Sequence, residues 1–385
     1  MPSAPRGIHL AYNFESHGQA GAEIENPLFD LLSGLREHGS ISHAARASGQ
    51  SYRHVWGALK HWETVLGSPL VQWAQGTHAR LTPFAERLLW AERQARVRMT
   101  PHVEALRREL QRVFALADDA TQEVLEIAAS HDLGLPRLQT LAEAQHALHL
   151  DLRFTSSEEA LRSLLDGRCR VAGFHVPRLA QAAPLFQRAL RPLLKPGSHK
   201  LIGSHWRRQG LMHRPDTAPP TLADLGASHV SSQVSSQVSS QTSGRLRFVN
   251  RQPGSGTRLL LDHLLEEAQL DPAAIDGFAT RIEYTHLAVA MSVAAGTADV
   301  GLGIEAAASA HGLRFVPLVE EDYYLVCLTP MLDSPLIASL RQALASPAWA
   351  AALQDLPGYG VQDPGQVLSL VRALPWWRFA RPKRR

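Results

Sequence analysis

The sequence predicts an α/β chain built as an N-terminal winged helix-turn-helix, a long linking helix and a C-terminal two-lobed body. Three observations carry that expectation. Short helical stretches punctuated by Gly39, Gly49 and Gly67 crowd the first part and lead into two strand-like pieces. An amphipathic run from Pro83 to about Leu116 is longer than one small domain requires. From Glu123 onward, short apolar segments alternate with helical stretches, the rhythm of parallel strands covered on both faces. A length of 385 residues fits two or three such domains, and a hydrophobic content of 45% supplies their cores.

The charge is unevenly placed. The net charge is only +3, yet residues 34–98 hold nine Lys and Arg against four Asp and Glu, so the remainder is slightly acidic. That distribution excludes a uniformly basic coat for nucleic acid and predicts a basic module on a near-neutral body. Two cysteines, Cys169 and Cys327, lie in apolar segments without CxxC spacing, which predicts buried strand thiols and neither a zinc knuckle nor a redox pair. Nineteen histidines show no HExxH or related spacing, so most are expected at the surface or at helix caps, with no metal site. The first 25 residues lack a signal-type apolar core, and no run reaches the length of a membrane span. The expectation is a cytoplasmic protein with no membrane partner.

In the head, IHLAYNF (residues 8–14) predicts a short strand turned by SHGQAG. A helix follows from Pro27 through Leu28, Leu31, Leu32 and Leu35 to a stop at Gly39. Ser40 can cap a short helix carrying Ile41, Ala44 and Ala45, with Gly49 as the turn. Ser51 can cap the next helix, whose Val55, Leu59 and Trp62 share its buried side. PLVQWA and ARLT then read as two strands of a wing around a polar turn. The outward side of the second helix offers Gln50, Ser51, Tyr52, Arg53, His54, Gly57 and Lys60, and the wing adds His78 and Arg80. Glutamine matches an adenine edge, arginine a guanine edge or phosphate, so this face is the expected contact with double-stranded DNA. A small bundle with a solvated basic face is the alternative; the wing and the local charge favour DNA.

The body opens with VLEIAAS as a strand, then alternates helix and strand through CRVAGFHV; HKLIGSHW and QGLMH follow as separate pieces. LRFVN, helices near Thr257–Glu267 and His286–Ala295, and the strand FVPLVEEDYYLVCLT complete a second lobe and the return to the first. The expected domains are residues 1–82, the helix 83–118, and a bilobal body 119–385. Lobe 1 takes 119–205 and 315–385, and lobe 2 takes 206–314. The SSQV repeat at 228–243 predicts a mobile surface loop.

Hydroxyl and glycine residues recur before helices in this body: Ser130 and His131, Ser156 and Ser157, Gly254, Ser255, Gly256 and Thr257, and Thr285 with His286. Amides at helix starts, supplemented by hydroxyls, can hold an oxyanion in a cleft between the lobes. Arg251 and Arg258 can add charge, and His175 ends a strand at the same edge. GSGT lacks the Gly-Lys-Ser/Thr of a P-loop, and no GxGxxG turn is present. His131, His175 and His286 are the only candidate bases, with no acid set beside them, so no catalytic residue and no enzyme is expected.

The stretch NPLFDLLSGLREHGSISHAARASGQSYRHVWGALKHWETVLGSPLV, followed by ARLTPFAERLL, resembles the winged helix of molybdate-responsive ModE-type regulators, a fold shared more loosely with LysR-type regulators. Ser51, Tyr52 and Arg53 match the start of that family's recognition helix, and Thr82–Pro83 its wing-to-linker junction. The resemblance implies a homodimer or higher homo-oligomer, with the long helix as dimer arm. AGFHV, VNRQPGSGTRLLLD, THLAVAMSVAAGTADVGLGI and FVPLVEEDYYLV resemble the periplasmic-binding-protein-like domain related to molybdate-binding proteins. The implied partner is a small anionic ligand: molybdate, tungstate or a molybdenum-cofactor-related compound, sensed and not held as a cofactor. The tandem β-barrel sensor usual in ModE regulators is absent from the sequence. Together these features predict a one-component transcriptional regulator, with an unrelated small metabolite, or no ligand response, as the alternative.

Overall fold

Two short strands, β1 (Phe14–Glu15) and β2 (Glu23–Ile24), pair antiparallel ahead of the first helix. The computed structural model describes residues 14–15, 23–24, 26–73, 79–97, 99, 103, 124–179, 184–226 and 245–377. The chain divides into two units, Met1–Leu110 and Gln111–Arg385. Among the described residues, no helix is long and apolar enough to cross a membrane.

In the first unit, α1 (Asn26–His38), α2 (Ile41–Ala47) and α3 (Tyr52–Leu66) precede a two-stranded wing of β3 (Val71–Trp73) and β4 (Ala79–Leu81). Helix α4 follows over 83–97. Leu28, Leu32, Leu35, Ile41, Val55, Leu59, Leu70 and Leu89 form one buried core. Ala44 lies against Gly34 of α1, so two small residues let α1 and α2 pack closely. Gly49 takes the turn with φ of +67°, a left-handed conformation that a side chain disfavours. Ser51 caps α3 by accepting the His54 N–H, and Gly67 ends it. Ser40 occupies the start of α2 but makes no capping hydrogen bond, unlike the expectation. Trp62 is half-buried where a core anchor was expected, its indole flanking the core and edge-on to His61. Thr82 bonds the Pro69 carbonyl through its hydroxyl and accepts the Ala85 N–H, tying the wing to α4. The predicted linker beyond 97 lies mostly outside the described residues, as do the SSQV loop and His78.

The second unit is one ten-stranded mixed sheet. Strands β5 (Val124–Ser130), β6 (His149–Thr155) and β7 (Val171–Pro177) run parallel, separated by α5 (Leu135–His146) and α6 (Ser157–Leu165). After α7 (Pro184–Leu190), HKLIGSHW and QGLMH form a single strand, β8 (His199–His213), where two pieces were expected. Strand β9 (Phe248–Arg251) leads to α8 (Gly256–Glu267), β10 (Ile282–Glu283), α9 (His286–Ala294), β11 (Val300–Ile304) and α10 (Glu305–Ala310). Strand β12 (Arg314–Leu328) pairs antiparallel with β8 along nearly its whole length. Helices α11 (Pro335–Ala345) and α12 (Pro347–Gln354), strands β13 (Tyr359–Val361) and β14 (Val367–Ser369), and α13 (Leu370–Ala373) close the chain.

The strand order is β10-β9-β11-β8-β12-β7-β5-β6. Strands β8 and β12, 15 residues each, span about 50 Å at ~3.3 Å per residue and so belong to both halves of the sheet. Apolar clusters cover both faces of each half. One centres on Leu150, Leu325 and Trp349 and another on Phe174, Phe186 and Val326. Two more centre on Met212 with Val289 and on Phe248 with Leu261. Cys327 is buried in β12, and burial pushes its thiol up to about 11; Cys169 is buried in the turn just before β7, not in the strand.

Candidate functional site

The exposed face of α3 carries the predicted DNA-reading residues. Gln50, Ser51, Tyr52, Arg53, His54, Gly57 and Lys60 are all exposed, while Val55 and Leu59 lie beneath them in the core. Tyr52 stacks on Trp56 at 6.4 Å, and the Lys60 ammonium sits 4.8 Å above the Trp56 ring. Lys60 is also paired with Glu63 at 2.7 Å. Glu63 was missed in the sequence and does more than pair with Lys60. Its other oxygen accepts the N–H groups of Leu70 and Val71, fixing the wing against α3. Burial opposes its charge, but Lys60 and those two amides outweigh burial and lower its pKa. No described atom lies within 4 Å of a side-chain carbon built on Gly57, so α3 presents bare backbone to solvent there. Arg80 projects outward from β4 between buried Ala79 and Leu81.

In the second unit, Arg207 of β8 organises a fully buried polar centre. It lies opposite Glu321 of β12 in register, and its Nε donates to Glu321 at 3.1 Å. Its Nη1 donates to Asp132 at 2.9 Å and to the His131 carbonyl at 3.0 Å. Asp132 also accepts from Tyr359 and from the Gly134 N–H that starts α5. Gln209 donates to Glu321 at 2.8 Å, and His205 stacks on Tyr323 with centroids 4.7 Å apart. Burial alone would raise the Asp132 carboxyl, but His205, Arg207 and the Gly134 amide hold it well below the usual carboxylate range. Burial likewise opposes the Arg207 charge, and Glu321 and Asp132 more than compensate.

The candidate ligand residues gather on top of this centre. Ser130 Oγ is 3.1 Å from His175 Nδ1, which also lies 3.4 Å from Arg207 Nη2. Arginine only donates, so Nδ1 is the acceptor and Nε2 carries the proton. That Nε2 is buried without a hydrogen-bond partner, 3.7 Å from Glu321 Oε1. The rings of His131 and His286 are 6.2 Å apart, and each has a sealed, unpartnered Nδ1. Burial, with Arg251 and Arg207 nearby, pushes His131 down to about 3 and His286 well below its ordinary value. Burial lowers His175 to about 4 despite Glu321. At neutral pH all three imidazoles are uncharged.

Arg251, at the end of β9, is 3% exposed. Its Nε donates to Gln252 and its Nη2 to the Tyr284 carbonyl, while Nη1 has no partner. Among the described residues, no carboxylate lies within ion-pairing distance of it. Burial and the repulsion of Arg207 bring its pKa down to about 9. An unbalanced buried guanidinium beside neutral imidazoles leaves a positive charge in the interior that no carboxylate compensates among the described residues.

The remaining predicted residues divide. Ser156, Ser255 and Thr285 are helix caps whose oxygens accept the N–H groups of Glu159, Arg258 and Ala288. Ser130 caps nothing, because Asp132 serves the start of α5. Ser157, one residue inside α6, keeps a buried and unpartnered Oγ. Gly256 approaches His175 so closely that a side-chain carbon there would collide with the ring. Thr257 is buried in the first turn of α8, and Gly254 has φ of +81° in the loop before it. Arg258 turns away, paired with Asp262 at 2.9 Å and stacked on Phe278 at 3.9 Å.

Arg207, Asp132, Glu321, Gln209 and His205 were missed. Their signal is the alternation His205-Arg207-Gln209 in one long strand with Glu321 and Tyr323 in its neighbour, one polar face turned inward. Seven of the nineteen histidines, His149, His175, His199, His205, His213, His263 and His286, are buried. Strands that cross the sheet centre carry several of them inward. Among the described residues, no group of three or more His, Cys, Asp or Glu is arranged to hold a metal ion.

Comparison with known proteins gives the same division. Residues 138–345 match the PBP superfamily domain, and residues 29–86 match the bacterial regulatory helix-turn-helix protein, lysR family. "Uncharacterized protein YvgK" of Bacillus subtilis (strain 168) is 35% identical over 123 residues, 32% of this chain and 39% of that protein. "Uncharacterized protein in ferredoxin 2Fe-2S gene 5'region" of Clostridium pasteurianum is 32% identical over 112 residues, 29% of this chain and 98% of that protein. Among solved structures, full-length LTTR LysG from Corynebacterium glutamicum with bound effector Arg is 19% identical at a TM-score of 0.39. That match covers 86% of this chain and 98% of LysG. A hydrogen-peroxide-bound OxyR mutant from the same organism is 16% identical at a TM-score of 0.41, covering 86% of this chain and 92% of OxyR.

Proposed function

This chain belongs to the PBP superfamily and carries a regulatory helix-turn-helix of the lysR type; from that premise we propose that its interlobe cleft senses a small anion. The chain is a DNA-binding transcription regulator with a ligand-binding PBP-like domain, and not an enzyme. The observation that carries the anion reading is Arg251: buried, without a carboxylate partner, its Nη1 open beside three uncharged imidazoles. A tetrahedral oxyanion of the molybdate or tungstate kind, or a molybdenum-cofactor-related compound, would take a hydrogen bond from Arg251 Nη1.

Binding of the anion favours the closed arrangement of the two lobes, in which Gly256 meets His175 across the cleft. In a homodimer joined through the helix that starts at Pro83, closure would change the spacing of two α3 helices and hence affinity for a two-fold DNA site. Gln50, Ser51, Tyr52, Arg53 and His54 supply the base-facing side of that helix, and Arg80, with His78 in the wing, supplies phosphate contact.

Isothermal titration of the full chain with molybdate and tungstate, alongside the Arg251→Met variant, tests the reading. Saturable binding that disappears in Arg251→Met supports it; binding that survives the substitution removes its basis. A second reading, an uncharged or donor-bearing metabolite, is favoured by two buried acceptors without partners, Glu321 Oε1 and Gln209 Oε1. That reading predicts binding of such a compound in both forms.

A further inference from the structure

Gly256 belongs to two surfaces at once. It faces the His175 ring, and it also lines a cavity of about 160 Å³ between α6, α7 and the start of α8. The walls are sharply divided in character. Phe186, Ala189, Leu190 and Leu259 make an apolar side. The opposite side holds Ser157, more than nine-tenths buried, with a hydroxyl that has no partner. Ser157 and Gly256 are the first residues of α6 and α8, so the amides of Ser157, Glu158, Gly256 and Thr257 precede the first intrahelical acceptors. The caps do not consume them, because Ser156 and Ser255 take the amides of Glu159 and Arg258 instead. The two carboxylates at the rim are already engaged, Glu158 with Arg162 and Asp262 with Arg258.

Such a cavity is poorly used by a bare oxyanion. An apolar cavity of ~150 Å³ accommodates a benzene molecule, and two facing helix N-termini with a free hydroxyl accommodate one anionic group. We propose that the effector is an anion bearing an apolar body of about benzene size. Its body fills the cavity against Phe186, Ala189, Leu190 and Leu259, and its charged group lies on Ser157 and the first-turn amides of α6 and α8. The proposal rests on the reading that the interlobe cleft senses a small anion, narrows it to a ligand class, and seats the charged group on the helix starts instead of on Arg251. Both lobes contribute to the cavity, so a ligand of this kind bridges them in a way that a smaller ion does not.

Calorimetric titration of the full chain with phenylphosphonate, methylphosphonate and molybdate tests this. The first two probes share a tetrahedral anion and differ only in the apolar body. Phenylphosphonate is expected to bind at least tenfold more tightly than methylphosphonate. Ala189→Phe fills the cavity without touching the polar centre, and it is expected to erase that preference. Leu259→Phe is the second variant should Ala189→Phe fail to fold, and a native circular dichroism spectrum qualifies either one. Equal affinity for the two phosphonates, or a preference that survives the filled cavity in a folded variant, overturns the proposal. Molybdate binding without phenylphosphonate binding also overturns it and leaves the anion reading standing. If none of the three anions binds, the anion reading falls, and this inference with it.

Discussion

The exposed face of α3 and the buried centre around Arg207 use polar residues in opposite ways. On α3, Arg53 and His54 stand in solvent above a separate apolar layer of Val55 and Leu59. Around β8 and β12, the polar residues are themselves the interior: Arg207, Asp132 and Glu321 are each fully buried, and Arg207 pairs with both carboxylates. A face of the first kind can change its contacts with little effect on folding. A centre of the second kind cannot, because removing one charge strands the others away from water. Arg251 stands between these cases, buried like the centre but lacking a counter-charge, and under the proposed function that difference separates a structural arginine from a ligand-binding one.

Substitutions can break the comparison. Arg207→Met should have the largest effect, destabilising the second unit by about 3–5 kcal/mol, because Asp132 and Glu321 lose their shared partner. Urea unfolding measures it, and a cost under ~1 kcal/mol would mean the centre is not structural. Acid should act in the same region. His131 and His175 have pKa values lowered to about 3 and about 4, so the unfolded chain binds protons that the folded chain does not. Stability conferred by the neutral forms is complete above about pH 6.5 and falls progressively down to about pH 4, by up to ~3 kcal/mol for His175 alone. A melting temperature flat across that range would contradict the neutral cluster.

Smaller effects sharpen the contrast. Arg251→Met should weaken binding of the cleft anion by about 2 kcal/mol or more while leaving stability unchanged or raised, since it removes an unpaired buried charge. A loss of stability comparable to that of Arg207→Met would erase the distinction between the two arginines. Arg53→Ala should lower DNA affinity by about 1–3 kcal/mol with stability within ~0.5 kcal/mol, read by gel shift and thermal melting. Ser51→Ala should cost about 1 kcal/mol of stability through the lost cap on His54 N–H.

The legibility of the two regions differs for a physical reason. Helix period, caps and glycine turns are local, so α1 to α3 and the wing could be placed from neighbouring residues alone. Ser51, Gly49 and Gly67 play the parts their types suggest. Local reading failed where a hydroxyl had two possible uses. Ser156 and Ser157 are adjacent and chemically alike, yet one caps α6 and the other keeps a buried, unpartnered hydroxyl beside a cavity. It failed again for Arg258, whose charge is consumed by Asp262 one helical turn away. The pairing of Arg207 with Asp132 bridges 75 positions in sequence, and that with Glu321 bridges 114, so no local pattern announces either.

The sequence by itself determined the head, the alternation of strands and helices in the body, and the strand ends and helix starts from which Ser130, His131, His175, Arg251 and His286 come. Those features follow from short-range periodicity and backbone preference. Tertiary structure alone decided that β8 and β12 are continuous through both halves of the sheet, that their inward faces are charged, and that Arg251 has no carboxylate partner among the described residues. Burial and pairing belong to surroundings assembled from distant segments, and a residue's charge acquires its meaning only once those surroundings exist.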